Sequence, residues 1–466
     1  MANKKVTKSK KRKFLKFLLS IVVIACLLIV GYFFKDKLGI NDNSDSLQVE
    51  NSSSTVIEED SSSNSITNDS SSSGNLYDEK IVDNITFDNL QIHFLELGNA
   101  STGDSTYIKA GNNDILIDAG STQASAETII NYVNQYCLDG KLEYVITTHA
   151  HADHYYGMFG KTKTNSNQTP KNYKGEVVDK TGIYYYYDID TIIDFALTNQ
   201  EGKQYYGYYQ TALDYAISKG SKHYDAAECF ENKNGAKSTY VLDETNNITL
   251  DILYNKYYFT TSSDENNYSV CTMINYNNQH FMFTGDLEKE GEEALASYYD
   301  KSTKEKTLPK VELFKAGHHG SDTSSNKCLL DLIQPEICCV CCCAGTTEYT
   351  FDRLKSFPSQ AFINRIAEYT DRVYVTSAID EVKSSQNNKL TYGSLNGNII
   401  ISSNGVNIGV NATNNTIKLK DSDWFNGTCY VDNSNRLYPK DGKSSNYYNS
   451  SDSGVKAVTR RTWPNV

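Results

Sequence analysis

Histidine is scarce in this chain, eight residues in 466, and none follows His319. Proline is scarcer, with six, and tryptophan scarcer still, with Trp424 and Trp463 alone. The proline count attaches to no function. The histidine count does, because three of the eight fall between positions 149 and 154. Basic charge is also lacking where a polyanion ligand would need it. Ten of the 45 lysines and arginines, with the single acid Asp36, lie in residues 1–40, which leaves 35 bases against 56 acids beyond. Such a body repels a nucleic-acid backbone at long range, so nucleic acid is a disfavoured partner. Cysteine is present, eleven in all, but not in a framework spacing. Cys26 lies in an apolar run, and Cys338, Cys339, Cys341, Cys342 and Cys343 crowd together around Val340. A disulfide scaffold spreads its cysteines, and a zinc knuckle on Cys338-x-x-Cys341 lacks a second pair. A buried strand with cysteine as a small apolar residue fits better.

Eight lysines and arginines fill the first sixteen positions, and the run 17–34 is uncharged and almost wholly apolar. As a helix these residues span roughly 27 Å, near the thickness of a hydrocarbon core. The heavier basic flank predicts a cytoplasmic N-terminus, a single-pass anchor in the cell membrane within residues 1–40, and everything after it outside. A cleaved signal peptide is the rival, but the run is long for one and no clean small-x-small site ends it. Val23-Ile24-Ala25-Cys26 loosely resembles a lipoprotein box, yet eight more uncharged residues follow Cys26. Residues 41–80, rich in Ser, Asn and Asp, read as a disordered tether reaching roughly 35 Å.

Order is expected from Ile81. Strands are predicted at 91–97, 105–109 and 114–118, a helix at 124–138 from apolar residues at 129, 130, 133 and 137, and a strand at 142–148 that runs into His149. Residues 161–240, with Tyr184-Tyr185-Tyr186-Tyr187, read as a Tyr-rich insertion. Strands resume at 248–254, 268–276 and 280–284, with a helix at 287–299. Those at 311–315, 337–343, 372–376 and 398–402 are expected to complete a second sheet. The pattern is a layered α/β domain over 81–410, followed by a polar tail or small appendage at 411–466.

The run Thr148-His149-Ala150-His151-Ala152-Asp153-His154 carries the chemistry. In an extended stretch, residues two apart face one side, so His149 and His151 can converge on one ion. Asp153 and His154, past the bend, can hold a second. Imidazole and carboxylate suit zinc, manganese or iron. A plain polar turn has no use for three histidines. Gly285-Asp286 at a strand end places another acid where packing does not ask for one, although it could instead cap the helix that follows.

The His-x-His-x-Asp-His pattern at a strand end, after Leu116-Ile117-Asp118-Ala119-Gly120, resembles the metallo-β-lactamase superfamily. Gly103-Asp104-Ser105, Asn266-Asn267-Tyr268-Ser269-Val270, Phe283-Thr284-Gly285-Asp286 and Lys315-Ala316-Gly317-His318-His319-Gly320-Ser321 together resemble the hydrolase domain of ComEC-type competence proteins. That resemblance covers about residues 88–410. It implies an αββα sandwich with one or two ions at a rim, zinc first and manganese as the other candidate. The ions would be held by His149, His151, Asp153, His154 and a bridging Asp286. It implies that Asp153, His318 and His319 are the catalytic candidates, the two histidines binding substrate or stabilising charge. It also implies that Asp104 and Asp118 orient histidines from behind, with turn formation as their plain alternative. His93, on the parity opposite Ile92 and Phe94, is expected to be exposed. His223 and His280 are the residues available as a further ligand, and neither stands in a motif.

The resemblance has one gap. ComEC-type domains place a His-Pro pair after the cysteine-region strand, and that histidine completes the second site. Here Phe357-Pro358 stands in its place, so Glu348 or another oxygen group would have to substitute, and the second ion would be the weaker. The reading is a membrane-anchored extracellular hydrolase of phosphoesters that uses a metal-bound hydroxide. A DNA nuclease and a non-catalytic metal-containing binding module are the alternatives. The topology has a direct test. Protease added to intact cells should release the domain by cutting within 41–80, and a fragment protected until lysis would reverse the orientation.

Overall fold

The computed structural model describes residues 80–300, 307–380, 391–434, 436–437 and 454–466. The expected span at 17–34, and all of the expected tether except residue 80, lie outside them. Among the described residues no helix is long and apolar enough to cross a membrane.

Two sheets carry the fold. Strands β1 (Ile81–Asp83), β2 (Leu90–Phe94), β3 (Thr106–Ala110), β4 (Asn113–Ile117), β5 (Lys141–Ile146), β6 (Asp188–Asp194) and β7 (Lys222–Asp225) belong to the first. The second runs in chain order through β8 (Thr239–Asp243), β9 (Ile248–Ile252), β10 (Thr272–Tyr276), β11 (Gln279–Phe283), β12 (Leu313–Lys315), β13 (Ile337–Ala344), β14 (Val373–Ile379) and β15 (Tyr392–Ser394). β16 (Ile399–Ser403) and β17 (Ile408–Ala412) then return to the first sheet, whose order is β1-β17-β16-β2-β3-β4-β5-β6-β7. Each sheet has antiparallel meanders that give way to parallel strands, β4 to β7 in one and β11 to β14 in the other. The expectation that 398–402 completes the second sheet is corrected. β16 pairs antiparallel with β2, Ile401 opposite Ile92. Its buried isoleucines suit either sheet, and only the partner strand decides.

The sheets share a core, with the rings of Phe94 and Phe283 6.3 Å apart. Helices α1 (Ser125–Val133), α2 (Ala152–Phe159) and α3 (Gln204–Ser218) join the first-sheet core through Ile129, Val133, Met158, Phe159, Tyr209 and Ala212. Helices α4 (Lys289–Tyr298), α5 (Lys327–Ile333) and α6 (Gln360–Ile366) pack Leu295, Leu329, Ile333, Phe362 and Ile366 against the second sheet. The result is a mixed α/β sandwich of four layers.

β13 shows why the cysteines cluster. All eight of its residues are buried. Cys339 and Cys341 enter the core shared by the sheets, while Cys338, Val340 and Cys342 enter the one under α4, α5 and α6. Both faces need small apolar side chains, and every described cysteine is free. His93 is likewise covered, against expectation. It is fully buried, facing α1, with Nδ1 2.8 Å from the Tyr132 hydroxyl and Nε2 3.1 Å from Gln91 Oε1. A helix on the outer face of a central strand turns the outward parity inward, and burial pushes this imidazole's pKa down to about 3.

Residues 161–240 supply β6, α3 and β7 to the first sheet's layer. Their tyrosines reach the core while their hydroxyls find partners: Tyr184 with Thr147 and Tyr209, and Tyr209 with Asp194. The tail after 411 docks on the second sheet's helical side through Leu419, Trp424 and Phe425. Arg461, 1% exposed, donates to the carbonyls of Pro358 and Ser356 at 3.0 and 2.6 Å.

Candidate metal centre

The site forms where strands from both sheets end. β5 stops at Ile146, and Thr147-Thr148 carry the chain to His149. His151 then stands at the N-cap of α2, with Asp153 in its first turn. The loop after β4 closes over this run. Ala119 N donates to His154 O at 2.7 Å and Asp104 N to Asp153 O at 2.9 Å. Gly120 is required there, since a Cβ would meet Asp153 O at 1.6 Å. From the second sheet β11 leads into Gly285, whose φ of 53° and tight contacts with Ser269 and Thr148 suit only glycine. Asp286 follows, its backbone N donating to Ser269 Oγ at 3.0 Å. β12 leads into the turn Gly317–Gly320, where His318 and His319 both hold left-handed backbones, φ 46° and 54°. Such strain in two successive non-glycine residues marks a site that needs their side chains placed.

These ends converge on one oxygen. Asp286 Oδ2 lies 3.0 Å from His154 Nε2, 3.3 Å from His319 Nε2, 3.9 Å from His318 Nε2 and 4.0 Å from His149 Nε2. His154 Nε2 and His319 Nε2 are 3.3 Å apart, and His149 Nε2 and His151 Nδ1 are 3.1 Å apart. Asp153 Oδ2 is 3.3 Å from His319 Nε2 and accepts from the Tyr349 hydroxyl at 2.7 Å. One ligand atom each from Asp104, His154, Asp286 and His319 lies within 4.8 Å of all the others, and all four residues are buried.

The outward nitrogens are set from behind. His154 Nδ1 meets Asp118 Oδ2 at 2.7 Å, and Asp118 also accepts from Thr148 N and Oγ1, both at 2.7 Å. His319 Nδ1 meets Cys341 O at 2.9 Å and Asp104 Oδ1 at 3.2 Å. Each arrangement leaves Nε2 for a cation, the carboxylate–imidazole relay of metal sites. Burial alone would raise the Asp286 pKa, but the imidazoles of His154, His319 and His318 outweigh it and hold it well below the usual range. Burial works against protonated His154, yet Asp286 and Asp118 push its pKa up to about 10. Burial, with His154 and His151 beside it, keeps His149 neutral. A divalent cation suits this donor set. Nitrogen and carboxylate donors converge, with two imidazole nitrogens within 3.3 Å of Asp286 Oδ2.

Several expectations change. His319 is fully buried, and its ligand atom stands in the cluster with those of Asp104, His154 and Asp286. His318, 22% exposed in its side chain, is the ring left at the mouth. Phe357 packs against both rings, at 5.6 and 5.8 Å. Glu348 Oε2 accepts from Thr102 N at 2.8 Å, and Glu348 is not among the convergent groups. His223 bonds Asp194 and His280 bonds Asn275, and neither is among the convergent groups. The alternative of Asp286 as a helix cap also falls, since α4 begins at Lys289 with Glu288 at its N-cap.

Sequence reasoning passed over Tyr349, Glu265 and Glu288. Glu265 accepts from Ala150 N at 3.3 Å, Thr198 Oγ1 at 2.6 Å and Asn199 N at 2.6 Å, and so pins the histidine loop. Glu288 Oε1 lies 3.2 Å from His318 Nδ1. Isolated acids in loops carry no sequence signal, but Tyr349 lies in the stretch where the late ligand was sought.

Residues 98–188 match the family model of the Metallo-beta-lactamase superfamily, the family that the motifs resemble. Over 119 residues the chain is 24% identical to "Recombination protein 2" of Haemophilus influenzae (strain ATCC 51907 / DSM 11121 / KW20 / Rd), covering 26% of this chain and 13% of that protein's length. Among solved structures it is similar to the metallo-beta-lactamase fold protein YhfI from Bacillus subtilis (10% identity, TM-score 0.32, 61% of this chain and 95% of that one). It is also similar to a diphosphatase from the PhnP family (10% identity, TM-score 0.28, 54% and 86%).

The donor count predicts the opposite order of metal affinity from the one the sequence suggested. The pocket of Asp153, His154, Asp286 and His319 offers four donors, while that of His149 and His151 shares Asp286 and gains no third histidine. Calorimetric titration of manganese or zinc into the metal-free protein should show one tight and one weak site. His319→Ala should abolish the tight one and His151→Ala should spare it. A tight site that survives His319→Ala would contradict this order.

Proposed function

Taking a metallo-β-lactamase-like domain as the premise, we propose that this chain is a metal-dependent phosphodiester hydrolase, anchored by its N-terminal apolar run and working at the outer face of the cell membrane. The observation that carries the reading is the convergence of four imidazoles on Asp286 Oδ2, with His318 alone among them partly open to solvent. Bound zinc or manganese supplies Lewis acidity there, lowering the pKa of water toward about 7 and polarising a phosphoryl oxygen.

The chain's own groups do the rest. His149, His151, Asp153, His154, Asp286 and His319 would hold the ions. Asp118 and Asp104 orient His154 and His319. His318 is fixed at Nδ1 by Glu288 and by Thr323 Oγ1 at 3.1 Å, which leaves Nε2, 3.9 Å from Asp286 Oδ2, to stabilise charge on the phosphoryl group or protonate the leaving oxygen. Tyr349 and Phe357, their rings 5.5 Å apart, wall the mouth beside His318 and limit water at that edge.

The partial likeness to "Recombination protein 2" favours DNA as the second substrate reading, and the acidic body works against it. Digestion of single-stranded DNA separates the two. A binding module without catalysis would hold metal and hydrolyse nothing. Asp286→Asn should lose one metal equivalent and at least about a hundredfold in phosphodiester turnover, the scale of a lost charge-stabilising group. Circular dichroism should be retained. Full turnover in that variant would remove Asp286 from the mechanism.

A further inference from the structure

Lys315 is an anomaly on its strand. Leu313 and Phe314, its β12 neighbours, are core residues, yet Lys315 is 3% exposed and sends an ammonium into the metal centre. Nζ forms an ion pair with Asp104 Oδ2 and lies 3.9 Å from Asp286 Oδ1. Burying an ammonium is costly unless a carboxylate answers it, and nothing in the packing of β12 asks for one.

The carboxylates around it differ in what satisfies them. Asp118 accepts from Thr148 and His154. Asp153 accepts from Tyr349. Asp286 turns Oδ2 to the imidazoles. Asp104 has Lys315 on Oδ2, with His154 Nδ1 farther off at 3.8 Å, and on Oδ1 a His319 Nδ1 that also faces Cys341 O. It nevertheless stands close enough to His154, Asp286 and His319 to coordinate with them. A carboxylate so placed, with no cation of its own, turns toward a metal ion and leaves the imidazole it orients.

We propose that Lys315 is the resident counter-cation of the centre, a positioning residue that reserves Asp104 for His319 and restricts Asp286 to one coordinating oxygen. The ammonium thereby decides how many carboxylate oxygens reach the metal. The inference rests on the metal-binding part of the hydrolase reading and not on hydrolysis.

The test is calorimetric titration of Mn²⁺, with the visible absorption of the Co²⁺-loaded protein, on full-length wild type, Lys315→Met, Lys315→Arg, Asp104→Asn and the double variant. Lys315→Met should bind Mn²⁺ about tenfold tighter or more, because an uncompensated buried charge close to the ion is worth at least that. Its cobalt band should shift as an oxygen donor enters. Lys315→Arg should keep the wild-type band, and Asp104→Asn/Lys315→Met, with both charges removed, should restore it. Unchanged Mn²⁺ affinity and an unchanged band in Lys315→Met would overturn the proposal. If Lys315→Met does not fold, Asp104→Asn decides. The ammonium then has Asp286 alone, so Mn²⁺ affinity should fall about tenfold, and no change overturns the proposal. Wild type that binds metal but hydrolyses no phosphodiester would end the hydrolase reading and leave this one standing. Hydrolysis without coupling between positions 104 and 315 would do the reverse, and a wild type that binds neither ion overturns both.

Discussion

Bringing four imidazoles within 4.0 Å of one buried carboxylate oxygen is the constraint on which this structure depends. Removing those groups from water carries a desolvation cost of several kcal/mol per charge, which ordinary hydrogen bonds among themselves do not offset. A divalent cation does, because its charge acts on all of them at short range. The protonation pattern agrees. The carboxylates of Asp286 and Asp118 push the His154 pKa up against its burial, so a cation at Nε2 would compete with a proton there.

The scaffold serves that convergence. Each sheet delivers parallel strands whose ends meet at one rim, β5 from the first and β11 and β12 from the second. The ends bend where only special residues fit: Gly120 beneath the Asp153 carbonyl, Gly285 before Asp286, and the two left-handed histidines. Buried acids then lock the loops, Glu265 under Ala150 and Glu292 on the chain after the double histidine, where it accepts from Ser325 N and Asn326 N at 2.6 and 2.8 Å. The strain is stored at the site and balanced by the two cores that flank it.

Much of this was legible in the residues alone. The periodicities around 114–118, 142–148, 280–284 and 337–343 marked buried strands, and the histidine run after one of them marked the rim. What stayed hidden depended on pairing across distance. The strand at 399–403 has no local feature that tells which sheet it joins. His93 reads as outward until α1 is known to cover that face. The tyrosines of 161–240 look polar in a line of text, yet Tyr184, Tyr187 and Tyr209 bury their rings and point their hydroxyls to partners. The late ligand was sought downstream because spacing in relatives suggests it, whereas the left-handed turn at 318–319 brings His319 inward and leaves His318 outside. Lys315 and Asp104, 211 positions apart in the sequence, become a pair only in three dimensions.

The account stands or falls on a cation at Asp286. Anomalous diffraction at the manganese edge, from crystals of the protein grown with Mn²⁺, locates that ion without reference to activity. The account predicts a peak within about 2.3 Å of Asp286 Oδ2, His154 Nε2 and His319 Nε2 together, the range of metal–nitrogen and metal–oxygen bonds. Manganese bound only at surface carboxylates, with these three atoms packed against one another as a metal-free polar cluster, would contradict it.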